Sequence, residues 1–351
     1  MQLYNLMSRL KNIYIWIMNT PFSGSRKKRI FAICLISFLG LNSMAHTVSD
    51  KDSVVVARLQ YLHHLKDKIG NVWEGFHGEQ ADLPLIYYGN EHCYVMNPQK
   101  KFLTSFEGLP IYKDMEIVIY KAQKIDDTPF HMHMTYEFEE EQQFDYHTPY
   151  MRCSSLEITS QTIPDVTTLD VWATMVLHEY FHAFQFSHPA YVNYYKKHCA
   201  FFDSKTLQSF YLDHKWYKTS VNKENELLLK ALAASDLNHA RKYLRMFLKI
   251  RSNRRHHAYR KLHTDITKAE QAYEMTEGSA RYIEAKLYER IPVYQSDDSW
   301  LYTAGRNYYY ATGYNILRVL DKFGRHYQKE LFDHIPLAEE ELYNIVSRPS
   351  F

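Results

Sequence analysis

Among all the residues of this chain, His178-Glu179-Tyr180-Phe181-His182 carry the most chemical information. Positions four apart on an α-helix share a face, about 5–6 Å apart at Cβ, so both imidazoles can reach one metal ion while Glu179 stands beside it. Two neutral nitrogen ligands and an adjacent carboxylate suit a zinc hydrolase, in which the carboxylate takes the proton of a water that Zn2+ activates. With nineteen histidines in the chain, such a string can also arise by chance, usually on a solvated face. Here Val171, Trp172, Met175, Val176, Tyr180, Phe181 and Phe184 make the segment densely apolar. That predicts a buried helix whose polar groups need a partner, and a metal supplies one. Thr167 followed by Asp170 approximates a capping box at its start, and Pro189 predicts its stop.

A third ligand is sought downstream, where Ala272, Met275, Ala280, Ile283 and Leu287 fall at helical spacing and Pro292 lies beyond the end. This helix contains Thr276-Glu277-Gly278-Ser279-Ala280. Glycine inside a helix costs about 1 kcal/mol relative to alanine, so Gly278 needs a packing reason. Close approach to the His178 helix is the expected one, and it would bring the Glu277 carboxylate to the metal. Glu274 and Glu284 share that face and are expected to bind the ligand histidines through their other nitrogens. The competing reading makes all three carboxylates a solvated stripe balanced by Arg281 and Lys286.

Together the two motifs resemble the gluzincin group of zinc metallopeptidases, in which a downstream helix gives a glutamate, often in a Glu-Gly-x-Ala context. The resemblance spans two short helices. It implies a zincin-like fold, His178, His182 and Glu277 as ligands, and Glu179 as general base. It also requires an all-helical insertion between His182 and Glu277, which keeps Glu226 open as another ligand. Further on, Ile316, Leu317, Val319, Leu320 and Phe323 form a core helix ended by Gly324. In the tyrosine run before it, Tyr310 is the candidate donor to a tetrahedral oxyanion, with Arg306 as an anion partner. In a chain of thirty tyrosines, packing is the ordinary alternative.

The elements that must position these residues read as α+β: a small sheet within 46–165, then a mostly helical part over 166–351 with the His178 helix central. Val55, Leu59, Leu62, Leu65 and Ile69 predict an amphipathic helix over 53–69. Leu83 to Tyr88, a Gly89-Asn90 turn and His92 to Met96 predict a hairpin, and Met115 to Tyr120 a further strand. Leu156 to Thr159 reads as a short edge strand able to hold an extended peptide. Helices are expected over 205–218, 222–234 and 237–250, with Ser235-Asp236 as a break. His131 and His133 would share one side of a strand, but nothing nearby completes a ligand set. The neighbours His63-His64 and His256-His257 point apart on a helix.

Arg26-Lys27-Lys28-Arg29, the apolar run Ile30 to Leu41 and Ser43-Met44-Ala45 read as a secretory signal cut after Ala45. An uncleaved anchor is the alternative, since Ile13 to Met18 adds a second apolar run. Export therefore follows, with residues 46–351 as one catalytic domain and no membrane contact beyond the N-terminal segment. A formal charge of +2, with basic residues scattered apart from Arg251 to Arg260, gives no sign of a nucleic-acid partner. Cys93, Cys153 and Cys199 lack metal-type spacing and leave open one disulfide or reduced buried thiols. Two functions follow: an exported zinc-dependent hydrolase acting on peptides, or a non-catalytic surface or binding protein on a zincin-like scaffold. Intact Glu179 favours the first, because a structural metal site has no use for it.

Overall fold

The computed structural model describes residues 50–77, 81–98, 102, 108–124, 126–136, 148–199, 202–291, 298–303 and 307–347. The signal or anchor expected at 1–45, and Arg306, lie outside them. The chain divides into two units, Met1–Val54 and Val55–Phe351. No described helix is long and apolar enough to cross a membrane.

A six-stranded sheet precedes a mostly helical C-terminal part. Helix α1 (Asp50–Gly70) buries the expected stripe of Val55, Leu59, Leu62, Leu65 and Ile69. Strands β1 (Leu85–Tyr88) and β2 (His92–Met96) form the expected antiparallel hairpin, Leu85 facing Met96 and Tyr88 facing Cys93. With β3 (Leu109–Lys113), β4 (Val118–Gln123), β5 (Met132–Thr135) and β6 (Tyr150–Ser154), the order is β3-β4-β2-β1-β6-β5. Neighbours are antiparallel except β1 and β6. Both faces of β1 are buried, Tyr87 toward the main core and Ile86 and Tyr88 toward a second cluster with Phe102 and Tyr150. Cys93 and Cys153 belong to these different clusters, and all three described cysteines are buried and free.

Two strand expectations change. Strand β4 begins at Val118 because Asp114 accepts from the backbone of Glu116 and Ile117 at 2.8 Å each, a turn that leaves Met115 fully exposed. Leu156 to Thr159 is no strand but the start of α2 (Leu156–Thr162), nucleated by Ser155 accepting from Ile158 N. Four residues of apolar-polar alternation fit either structure, and the cap decides. The sheet edge beside the next helix is therefore β5.

That helix, α3 (Leu169–Phe186), is capped by Thr168, one residue past the expected position, whose hydroxyl accepts from Val171 N at 3.3 Å. Trp172 Nε1 donates to Ser154 O at 3.1 Å and Tyr180 to Leu83 O at 2.7 Å, fixing α3 to the sheet. Pro189 does not simply stop it. The proline opens α4 (Pro189–Cys199), in a first turn where no N–H is needed.

Beyond come α5 (Ser204–Asp213), α6 (Lys215–Ala233), α7 (Leu237–Leu262), α8 (Thr267–Tyr288), α9 (Tyr308–Lys322) and α10 (Leu337–Ser347). Helix α7 outruns its expected end because Arg251, Arg254 and Arg255 of the basic stretch are buried. Arg254 pairs with Glu224 of α6 at 2.6 Å, Arg251 with Glu274 of α8 at 3.0 Å, and Arg255 with Glu270 of α8 and Glu339 of α10 at 2.8 Å each. Glu274 is thus an arginine partner and not a histidine partner.

Gly278 has a packing reason other than the expected one. A Cβ there would lie 2.5 Å from the Gly313 carbonyl carbon of α9, and a Cβ at Gly313 would lie 1.9 Å from Glu274 O. The two glycines let α8 and α9 cross backbone to backbone, on a side away from α3. Because the obstacle is backbone, Gly313→Ala is expected to lower stability by about 3 kcal/mol or more in urea unfolding. A loss below about 1 kcal/mol would contradict this crossing.

Candidate metal centre

Helix α3 presents His178 and His182 on one face with ring centroids 4.9 Å apart, and α8 brings Glu277 against them. One ligand atom from each residue lies within 4.8 Å of the other two. Glu277 Oε2 is 3.4 Å from His182 Nε2 and 3.9 Å from His178 Nε2. That oxygen is buried with no hydrogen-bond partner. Among the described residues, no other three histidine, cysteine or carboxylate side chains come together this way.

The outward-facing ring nitrogens are both engaged. His178 Nδ1 lies 3.2 Å from Glu284 Oε2, as the spacing of Glu284 led one to expect. His182 Nδ1 lies 2.8 Å from Gln185 Oε1. Gln185 is fully buried, and its Nε2 donates to Thr276 O at 2.9 Å and Ser279 Oγ at 2.8 Å, which leaves Oε1 as the acceptor. Acceptors at both Nδ1 atoms place the protons there and turn the Nε2 lone pairs toward Glu277, the tautomer a metal requires. The donor set of two imidazoles and a carboxylate, with its orphaned oxygen, fits a divalent ion such as zinc.

Electrostatics join the same residues. Burial alone would lower the His182 pKa, but the Glu277 carboxylate 3.4 Å away, the charge of Glu179 and the Gln185 hydrogen bond raise it to about 9. Burial would raise that of Glu277, yet His182, His178 and a hydrogen bond from Tyr310 bring it below the ordinary carboxylate range. Tyr310 is pushed well above the phenol range by burial and then by Glu277 and Glu179, so its hydroxyl stays a neutral donor. Glu179 is half-buried, and its charge acts on both His182 and Tyr310.

Other candidates lie elsewhere. Glu226 is on the surface between Lys223 at 2.8 Å and Lys230 at 2.5 Å, and hydrogen bonds from both lysines lower its pKa to about 2. It is not a ligand. His131 and His133 stand 6.4 Å apart by ring centroid, and no third ligand joins them among the described residues. The solvated-stripe reading fails, since Glu274 is 1 % exposed and Glu277 and Glu284 face histidines. Gln185 was not foreseen. Its signal was a polar residue in an apolar run, three positions after His182 and so on the same face.

The chain matches no known family model, no curated protein and no solved structure.

The metal-free protein should show His182 titrating near pH 9, not at the ordinary 6.5. A pKa raised on folding stabilises the folded state fully below the unfolded value, and that contribution is lost as pH rises through about 9. At pH 7 a divalent ion held by this cluster would have to displace this proton, so uptake of added Zn2+ should release about one proton per site. Calorimetry in buffers of different ionisation enthalpy and 15N histidine NMR would read both; a midpoint at 6.5 or no proton release would contradict the His182–Glu277 geometry.

Proposed function

We propose that this protein is a zinc-dependent hydrolase that cleaves peptide bonds, built on a zincin-like arrangement in which residues 46–351 form the catalytic unit. The observation that carries the reading is Glu277 Oε2, buried, unpartnered and facing two imidazole Nε2 atoms. His178, His182 and Glu277 would hold the ion. When bound, it supplies a Lewis acid for a carbonyl and an acidic water at neutral pH.

The chain's own residues do the rest. Glu179 makes no hydrogen bond or ion pair with another side chain among the described residues, and stands beside His178 at the same cluster. It is placed to accept the proton of the attacking water and pass it to the leaving amine. Tyr310, a neutral donor next to Glu277, is placed to hydrogen-bond the oxygen that becomes negative. Glu284 and Gln185 keep the two imidazoles in the ligand tautomer. Strand β5 is the edge beside α3, paired on one side by antiparallel β6 and by no other described strand. An extended peptide laid along it would gain backbone hydrogen bonds without side-chain preference. The basic and apolar run within 1–45 supports export as part of this reading.

Purified 46–351 should hold one zinc, and His182→Ala should abolish it. Glu179→Gln keeps the side chain's size but removes the base, so zinc and fold should survive while turnover of a mixed peptide library falls by about 10²–10⁴. Wild type without stoichiometric zinc would sink the metal reading. Zinc-loaded wild type that cleaves nothing, or cleaves no faster than Glu179→Gln, would sink the hydrolase.

A further inference from the structure

Arg281 stands one helical turn after Glu277 on α8 and is half-buried. Its guanidinium lies over two aromatic rings, 5.0 Å from the Tyr310 centroid and 5.5 Å from that of Trp300. Trp300 sits in a 3₁₀ turn, Asp298–Leu301, that is held in place because Asn225 and Asn315 both donate to Leu301 O at 2.8 Å. Stacking uses the faces of a guanidinium and leaves its edge, with the N–H donors, for an anion.

That edge has no partner. Among the described residues the Arg281 guanidinium forms no hydrogen bond or ion pair, and its Nε is buried and unsatisfied. Other arginines differ. Arg251, Arg254 and Arg255 each meet carboxylates. Arg241 and Arg318, which also lie over rings, donate to Asn238 at 2.9 Å and Asn315 at 3.1 Å. The carboxylates nearest Arg281 along its own helix, Glu277 and Glu284, face the histidines instead. A half-buried guanidinium without an acceptor is unfavourable, and a carboxylate arriving from outside would satisfy it.

Tyr310 links Arg281 to the site, since Arg281 covers its ring while its hydroxyl interacts with Glu277 and Glu179. The guanidinium is therefore one side chain away from the ligand cluster. Among the described residues, the other charged side chains at the cluster, Glu179, Glu277 and Glu284, are carboxylates.

We propose that Arg281 is the specificity residue of this site and recognises a carboxylate next to the scissile bond, so that the substrates are peptides with either a free C-terminus or an Asp or Glu side chain at that point. This deepens the hydrolase reading and rests on it. The zinc-loaded protein would be given matched acetylated peptides that differ only in a C-terminal acid or amide, or in Glu or Gln beside the cleaved bond. Wild type should favour one carboxylate series by about 10- to 100-fold in kcat/KM, mainly through KM, and the favoured series identifies which carboxylate is read. Arg281→Met should bring the ratio close to one, and Arg281→Lys, which keeps a charge without the planar fork, should retain part of it. A wild-type ratio near one, or an unchanged ratio in either variant, overturns the proposal, and the lysine variant decides if the methionine variant does not fold. Calorimetry on Glu179→Gln with the same acid and amide peptides reads recognition without turnover. Selective acid binding by a protein that hydrolyses nothing would sink the hydrolase and keep Arg281; turnover with no acid–amide difference would sink Arg281 alone.

Discussion

Helix α8 must bury carboxylates on nearly every turn, and much of the helical part is arranged to satisfy them. Glu270 and Glu274 are no more than 1 % exposed. A buried carboxylate without a cation is costly by several kcal/mol, so each needs a positive partner from another helix. The first half of α8 takes its partners from α7. Three guanidiniums hold Glu270 well below the carboxylate range against the opposing effect of burial. Glu224, Glu270, Glu274 and Glu339 outnumber Arg251, Arg254 and Arg255, and the surplus falls on Glu274, which burial and the neighbouring Glu270 push upward despite Arg251. Helices α6, α7, α8 and α10 are thereby tied by charge as well as by apolar packing.

The second half of α8 takes its partners from α3. Two devices fix the spacing there. On one side the Gly278–Gly313 crossing brings α9 against α8, which carries Tyr310 to Glu277. On the other, Gln185 ties α3 to Thr276 and Ser279 while its oxygen holds His182. The amide does this without adding charge. A carboxylate at 185 would be repelled by Thr276 O and would crowd another negative group against Glu277.

Much of this was legible in the sequence, with a consistent limit. Periodicity identifies the buried face of a helix but not what it is buried against. The stripe of α1, the β1–β2 hairpin, the α3 motif and the position of Glu277 follow from patterns within one element. The partner of Gly278 and the partner of Glu274 depend on which helix arrives from elsewhere, and there the expectations failed. In α7 a signal was present and misleading in type: Leu244, Phe247, Leu248, Arg251, Arg254, Arg255 and Ala258 are a single buried stripe. Arginines on that stripe read as surface charge until the carboxylates of three other helices are seen to face them.

Charge at the site itself limits which occupant suits it. Among the described residues, Glu179, Glu277 and Glu284 bring three negative charges and Arg281 one positive, while Glu284 and Gln185 engage the Nδ1 atoms of the two imidazoles. In the metal-free protein, His182 offsets part of the deficit by holding a proton to about pH 9, but a proton on Nε2 offsets one charge only. A divalent cation in the same place would offset two and leave the imidazole lone pair and the unpartnered Glu277 oxygen to hold it. The protonated histidine is thus the metal-free counterpart of the proposed zinc, and the same carboxylates that raise its pKa would favour the ion that displaces the proton.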